Sequence, residues 1–577
     1  MANGARDDFY QSCTEKDVAP VRQLCRTSPK SVVQMMRTIY KPNDEPEVQR
    51  NQGESVAVSL KAVGELVKEE PVSEENLQTW RKLVDAGIID ALIFNVLSST
   101  NIVQFSPDMP EELKEKILTE MFSPRHYALE ILANASRFLN RTAPVSQDKK
   151  LMGAMRAKWS TLMKYLWDYP FSSLRPEESH VRERGTVESL FLRIITYDPS
   201  FLQIAWSDFT IPLITRHWTH SGACAADQMD AYMTSSVLWE LHRTQTIHLR
   251  QYIMDHKKKI SSTKLYSQMC RGLSTTKHAS KYAQAKVLAD AFATHFTQLN
   301  GRDIKLVLEV SLCILESAMK RESGPQDFGA ALLTHDAFWR ELFSLMKRIA
   351  KGTERGSDGR PTEKKFIILT IIILSIAFDC AVNVSERAQA ELLVLCAKEG
   401  FFDTLDDTMD VMLEEARVKR MTVAPPLAML FIKLRECVSF CTPAERTELA
   451  VQFPRWRTLS PMLVSDVKSQ QGMASPTNTT VLPMQFAWQM LIAVGTGCKP
   501  TSLCARRGCG NAGKIKCPSC NLQVVKDWDE HKILCSNKGA MNQVGSSMQS
   551  SPREMEEMLR AYGSNLKQLF KGMLRTS

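Results

Sequence analysis

Apolar residues recur along most of this chain at intervals of three and four, the spacing that lines up one face of an α-helix. Leu118, Met121, Leu129, Ile131 and Leu132 form one such stripe, and Val307, Leu308, Val310, Leu312, Ile314 and Leu315 another. Strand alternation is nearly absent, so the pattern predicts a mostly α protein. The longest apolar run, Phe366 to Phe378, covers 13 residues and ends at Asp379. That is short of the roughly 20 residues a membrane-spanning helix needs. Its β-branched residues would suit a buried strand, but nothing nearby offers partner strands, and the flanking helical periods favour a fully buried helix.

Two segments between helical stretches share a pattern: Val84 to Leu92 (VDAGIIDAL) and Ala397 to Leu405 (AKEGFFDTL). Gly87 and Gly400 can take the left-handed conformation that ends one helix, and the apolar pair that follows starts the next. These segments resemble the helix junctions of armadillo-type repeats. The resemblance implies an α-solenoid, armadillo- or HEAT-like, in which each helix group buries its apolar face on its neighbours.

Clusters of polar, Gly and Pro residues mark expected loops or linkers at Lys41 to Ser55, Gly352 to Lys365 and Val467 to Thr480. They divide the chain into a helical body at 1–465, a linker at 466–480 and a connecting helix at 481–497. A small Cys-rich module follows at 498–538, then a Gly/Ser/Asn/Gln-rich linker at 539–550 and a C-terminal helix at 551–577. That last helix is expected to be capped by Ser551, with Pro552 in its first turn and Glu554 completing a capping box. Its stripe of Met555, Met558, Leu559, Tyr562, Leu566, Leu569, Phe570 and Met573 either packs on the body or binds a partner.

The 577 residues are 44 % hydrophobic and 24 % charged, ordinary for a globular chain and too many for one core. The cysteines change the picture. Nine are scattered, mostly through apolar stretches, and read as small buried hydrophobes: Cys13, Cys25, Cys224, Cys270, Cys313, Cys380, Cys396, Cys437 and Cys441. The other six, Cys498, Cys504, Cys509, Cys517, Cys520 and Cys535, fall within 38 residues together with His531. Cys517 and Cys520 form a CxxC pair, and His531 and Cys535 an HxxxC pair on one face of a helical turn. Together they make a four-ligand set for a closed tetrahedral Zn²⁺ site.

The run from Cys504 through CPSC at Cys517–Cys520 to DWDEHKILC at Asp527–Cys535 resembles the MYND zinc finger over roughly 32 residues. A full finger of that family holds two zinc ions in a cross-brace of four ligand pairs. The resemblance makes Cys517, Cys520, His531 and Cys535 a complete site. The family's third pair is missing, since Asn521 to Lys526 contains no ligand, so Cys504 and Cys509 form an incomplete site with Cys498 as the one nearby thiol. One zinc or two remain open. The resemblance also implies docking of proline-containing peptides of other proteins.

Charge adds little: the net +9 is modest, although residues 498–538 carry eight Lys/Arg against three Asp/Glu. A nucleic-acid-associated or transcription-related role is the alternative, disfavoured because the spacing lacks the recognition helix of a ββα finger. An enzyme is disfavoured too. Gly508 to Lys514 fits GxxxxGK, but Ile515 stands where a phosphate loop needs Ser or Thr. The Asn-His-x-Cys run of SET-type methyltransferases is absent, and four protein ligands leave zinc no position for a reactive water. His217 with His220, and His242 with His248, read as exposed or satisfied helix residues. Residues 1 to 20 lack a signal-peptide pattern, so the expectation is an intracellular protein, cytoplasmic or nuclear, with reduced thiols and no membrane span. The expected function is that of a zinc-binding scaffold or adaptor.

Overall fold

The computed structural model describes residues 13–37, 46–68, 71–98, 124–169, 178–221, 281–297, 326–355, 360–419, 423–453, 457–462 and 484–498, strand residues 515–516 and 523–524, and a few single positions between them. Nearly all are helical. The chain divides into two compact units, 1–279 and 280–577, a boundary inside the range expected as one helical body.

The described helices of the first unit are α1 (Glu15–Thr27), α2 (Pro29–Met36), α3 (Pro46–Lys68), α4 (Glu74–Asp85), α5 (Ile88–Ser98), α6 (124–135), α7 (Ser146–Asp168), α8 (Glu178–Tyr197), α9 (Leu202–Ala205) and α10 (Thr210–His220). Helix α3 begins inside the stretch expected as a loop at Lys41 to Ser55. There Pro46 occupies the first helical position, where its missing N–H costs nothing, and the polar residues after it form the first turns. Ser73 caps α4 by accepting the Asn76 N–H at 3.2 Å, a contact of the kind that contributes about 1 kcal/mol.

The second unit contains α11 (Lys281–Thr297), helical residues at 307, 308, 310 and 311 (α12), α13 (Gln326–Leu333), α14 (Asp336–Lys351), α15 (Phe366–Val384), α16 (Glu386–Lys398), α17 (Phe401–Lys419), α18 (Ala424–Phe440), α19 (Pro443–Ala450), α20 (457–462) and α21 (Met484–Cys498). Ser385 caps α16 through the Ala388 N–H at 3.0 Å. Thr442 and Glu445 form a capping box on α19. Gly352, at φ 68°, closes α14 and opens the expected loop before Lys365.

Helices pack on neighbours one, two and three places further along the chain. Within the second unit α11 meets α14, α13 meets α16, α14 meets α17, α15 meets α18, α16 meets α19 and α18 meets α21, each the helix three places further along. In the first unit α1 meets α4, α2 meets α5, α4 meets α7 and α7 meets α10 in the same way. Some polar contacts also join helices three places apart. Trp159 on α7 donates to Thr210 at the start of α10 at 2.8 Å. Lys150 on α7 pairs with Asp85 on α4 at 2.5 Å, Lys347 on α14 with Asp407 on α17 at 3.3 Å, and Lys433 on α18 with Asp379 on α15 at 2.5 Å. Such partly exposed pairs contribute about 0–1 kcal/mol each, so apolar packing carries the stability and the ion pairs fix register.

The two matching segments are helix joints, as expected. Gly87 (φ 92°) stands between α4 and α5, and Gly400 (φ 89°) between α16 and α17. In both, the glycine N–H bonds back three residues, to Val84 O at 3.1 Å and Ala397 O at 3.2 Å, while its own carbonyl starts the next helix. The two apolar residues that follow and the later Leu are buried in each: Ile88, Ile89 and Leu92, and Phe401, Phe402 and Leu405. The Asp three places after each glycine meets an arginine: Asp90 faces Arg37 at 3.8 Å and Asp403 faces Arg455 at 2.7 Å.

The apolar run at Phe366 is a buried helix, also as expected, but it continues past Asp379 to Val384 and so reaches 19 residues. Among the described residues it is the one helix long and apolar enough to cross a membrane, and 72 % of its most apolar stretch is buried within the protein. It packs against α13, α14, α16 and α18, which explains a helix that is apolar all round. Each Ile there gives up at most about 0.7 kcal/mol of helix propensity, whereas burying it gains about 1.5–3 kcal/mol.

Candidate metal centre

Helix α21 leads to the Cys-rich segment. It lies along α18 and touches α19, and at Gly495 it approaches so closely that a Cβ would stand 3.1 Å from the Phe453 ring. The helix ends at Cys498, which is 3 % exposed and thus part of the second unit's core. Cys504, Cys509, Cys517, Cys520, His531 and Cys535 all lie outside the described residues, as do the expected linker at 539–550 and the expected helix at 551–577.

Two short pieces of backbone inside this segment are described. Strands β1 (Ile515–Lys516) and β2 (Gln523–Val524) pair antiparallel, Ile515 with Val524 and Lys516 with Gln523. Cys517 directly follows β1, and Cys520 lies three residues before β2. The strand pairing therefore draws together the two ends of the six residues that carry the CxxC motif. Strand pairing here was not foreseen from the sequence, where Asn521 to Lys526 stood out only for lacking ligands. Its signal was short: Val524 and Val525 are the only β-branched pair in the segment. The donor set of three thiols and one imidazole suits a structural Zn²⁺, which takes thiolate and neutral imidazole in a closed tetrahedron.

Among the described residues no group of three or more His, Cys, Asp or Glu is placed to hold a metal ion. The scattered cysteines that are described, Cys13, Cys25, Cys380, Cys396, Cys437 and Cys441, are buried, as expected. Burial pushes the thiols of Cys25 and Cys380 up to about 12, so they stay protonated and act as packing groups. Cys224, Cys270 and Cys313 lie outside the described residues.

The histidine pair at His217 and His220 sits in a buried polar cluster of the first unit. Nδ1 of His217, on α10, lies 2.7 Å from Oε1 of Glu188 on α8, and both side chains are fully buried. Arg184, also on α8, donates to the His220 carbonyl at 3.1 Å. Arg125 on α6 pairs with Glu183 and donates to the Tyr169 carbonyl at 3.0 Å. Arg216 donates to the carbonyls of Trp167 and Leu166 and lies over the Trp167 ring at 4.1 Å. Burial, with Arg216 and Arg184 alongside, holds His217 well below the usual imidazole range. The histidine is a buried helix residue satisfied only at Nδ1, its Nε2 having no hydrogen-bond partner among the described residues, and its carboxylate partner was missed from the sequence. The signal was legible: Arg184 and Glu188 fall four apart on the stripe of Val187, Phe191 and Ile194, where an amphipathic helix places core residues. His242 and His248 lie outside the described residues.

No protein-family model matches the chain, and no curated protein is significantly similar to it. Among solved structures, a circular tandem repeat protein with novel repeat topology and enhanced subunit contact surfaces aligns with 83 % of this chain and 97 % of its own length. The identity is 12 % and the TM-score 0.22, a likeness too slight to carry an argument.

Proposed function

We propose that the protein is a zinc-binding interaction scaffold: armadillo-type helical stacks joined to a MYND-like module at 498–538. Cys517, Cys520, His531 and Cys535 hold one Zn²⁺, and Cys504 and Cys509 belong to a second, incomplete site. The module docks proline-containing peptides of other proteins. The observation that carries this reading is the antiparallel pairing of Ile515–Lys516 with Gln523–Val524, which closes the CxxC segment from both sides as a two-thiolate turn requires. The contacts between helices three places apart accord with the armadillo comparison, since such a repeat is a group of helices stacked on its copies.

Zinc acts here by folding. So short a segment has no core of its own, and metal-binding free energy becomes folding free energy. With all four positions taken by protein, the ion has no place for a reactive water, so its role is structural. The module's excess of lysine and arginine offsets the thiolate charge.

Zinc per chain, measured by mass spectrometry on wild type, Cys517→Ser and Cys504→Ser, tests the reading. One zinc lost only in Cys517→Ser is the expected result for a single complete site. Two zincs, one lost in each variant, would mean that Cys504 and Cys509 have found further ligands. A chain that purifies without zinc would overturn the module.

A further inference from the structure

The first unit contains a cavity of about 170 Å³ between α4, the turn after α6 and the start of α7. Leu77, Trp80, Phe138 and Leu151 make its apolar wall, with the Trp80 and Phe138 rings 6.4 Å apart and tilted. Two charged residues reach the lining, Arg81 and Asp148. Asp148 is buried and already occupied, its carboxylate accepting the backbone N–H of Val145 at 3.2 Å and of Asn140 at 3.4 Å. Arg81 is half-buried and has no ion-pair or hydrogen-bond partner among the described residues. Arg141 is exposed in the connection between lining residues Asn140 and Ala143, and it too has no such partner. The nearest exposed acid on α4, Asp85, is taken up by Lys150 and Gln147. A cavity with one apolar wall thus has beside it two arginines, Arg81 in the lining and Arg141 on the adjoining turn, that have no partner among the described residues.

We propose that this cavity docks an acidic peptide of a partner protein. One large apolar side chain, Phe or Leu, fills the pit, and a carboxylate beside it in the peptide pairs with Arg81. The volume fits: a cavity of about 150 Å³ has room for a benzene ring, and here the ring would lie on the Leu77, Trp80, Phe138 and Leu151 wall. The sign of the charge selects the flanking residues, because a basic peptide would bring like charges together at Arg81 and Arg141. The inference rests on the reading of the chain as an interaction scaffold, but it places the recognition in the first unit and uses none of the zinc ligands.

Fluorescence polarisation on the full chain tests it, with fluorescein-labelled Gly-Glu-Asp-Phe-Asp-Glu-Gly and Gly-Lys-Lys-Phe-Lys-Lys-Gly as probes and 3-phenylpropionate as competitor. The acidic peptide is expected to bind and the basic one not. Arg81→Glu should weaken the acidic peptide by roughly tenfold or more, as expected when an ion pair becomes a like-charge contact. Ala143→Trp, which fills the mouth from the solvent side, should weaken it similarly. Circular dichroism checks that each variant folds, and Arg81→Gln replaces Arg81→Glu if it does not. Equal binding of both peptides, no binding of the acidic one, or unchanged binding to both folded variants would overturn the proposal. Phenylpropionate binding as tightly as the peptide would overturn it in favour of a small-carboxylate site. A zinc-free Cys517→Ser chain that still binds the acidic peptide would separate this site from the metal module, so either can fail alone.

Discussion

His217 and Glu188 face each other at 2.7 Å with no solvent access, although they come from different helices, α10 and α8. The imidazole is held well below its usual range, first by burial and then by Arg216 and Arg184. His220 is lowered by burial and the same two arginines. Groups of this kind stay neutral in the folded chain while the unfolded chain protonates them near pH 6.5. Their contribution is therefore present above about pH 6.5 and is lost as pH falls, by up to ~1.4 kcal/mol per pH unit for each group. Urea unfolding at pH 7.5 and 5.5 should show the first unit weakening in acid. His217→Gln should flatten that dependence while lowering stability at pH 7.5. An unchanged pH slope in His217→Gln would remove the histidine from the account.

Arg455 predicts an asymmetry. Its guanidinium is fully buried, 2.7 Å from Asp403 and 2.9 Å from Asp406, and it lies over the Phe402 ring at 5.3 Å. Asp406 is 6 % exposed but Asp403 is 50 % exposed. Arg455→Ala would leave the buried Asp406 carboxylate without the Arg455 cation, although Thr458 still donates to it, so a loss of about 3 kcal/mol is expected. Asp403→Ala removes a partner that water can replace and should cost about 1 kcal/mol or less. Denaturant midpoints for the two variants give the comparison, and equal losses would contradict it.

The paired joints predict matched effects in separate units. Gly87→Ala and Gly400→Ala both force a Cβ into the left-handed region, at about 1–2 kcal/mol each. Neither site is crowded: a Cβ at position 87 meets Arg37 at 3.5 Å, and one at position 400 meets nothing within 4 Å. The cost is thus backbone strain alone. Gly87→Ala should shift the unfolding of the first unit and Gly400→Ala that of the second, read by hydrogen exchange. A site that tolerates alanine without change would show that its left-handed turn is not required.

Removing the proposed zinc is expected to act locally. Chelation, or acid that protonates the thiolates, should leave the helical circular dichroism almost unchanged, because the helices have their own cores. Limited proteolysis of the chelated chain should cut between residues 498 and 538. Broad loss of helicity on chelation would tie the metal to the body instead.

The helices were legible where their apolar stripes were, and the α4–α5 and α16–α17 joints could be read from two glycines and the pattern around them. The start of α3 was not, because its first turns are polar and look like a loop until Pro46 is recognised as a helix start. The length of α15 was misjudged because Asp379 was taken as its end. In the structure that carboxylate simply turns to Lys433 on α18, and the helix runs on. Glu188 was missed as the partner of His217 because sequence spacing reveals partners within one helix, whereas this contact crosses two. The cavity beside Trp80 had no sequence signal, since its walls come from α4, a turn and α7, which only the packing brings together. The proposed zinc ligands were read from thiol spacing alone, and they lie outside the described residues.

The packing of each helix on near neighbours in the chain also sets a timetable. Cross-helix bonds such as Arg156 to Asp198 and Arg137 to Val67 span 42 and 70 residues. At a synthesis rate of roughly 5–20 residues per second, a helix leaving the ribosome waits only on the order of ten seconds for the neighbour that covers it. Its apolar face is therefore sheltered long before the far end of its unit has been made.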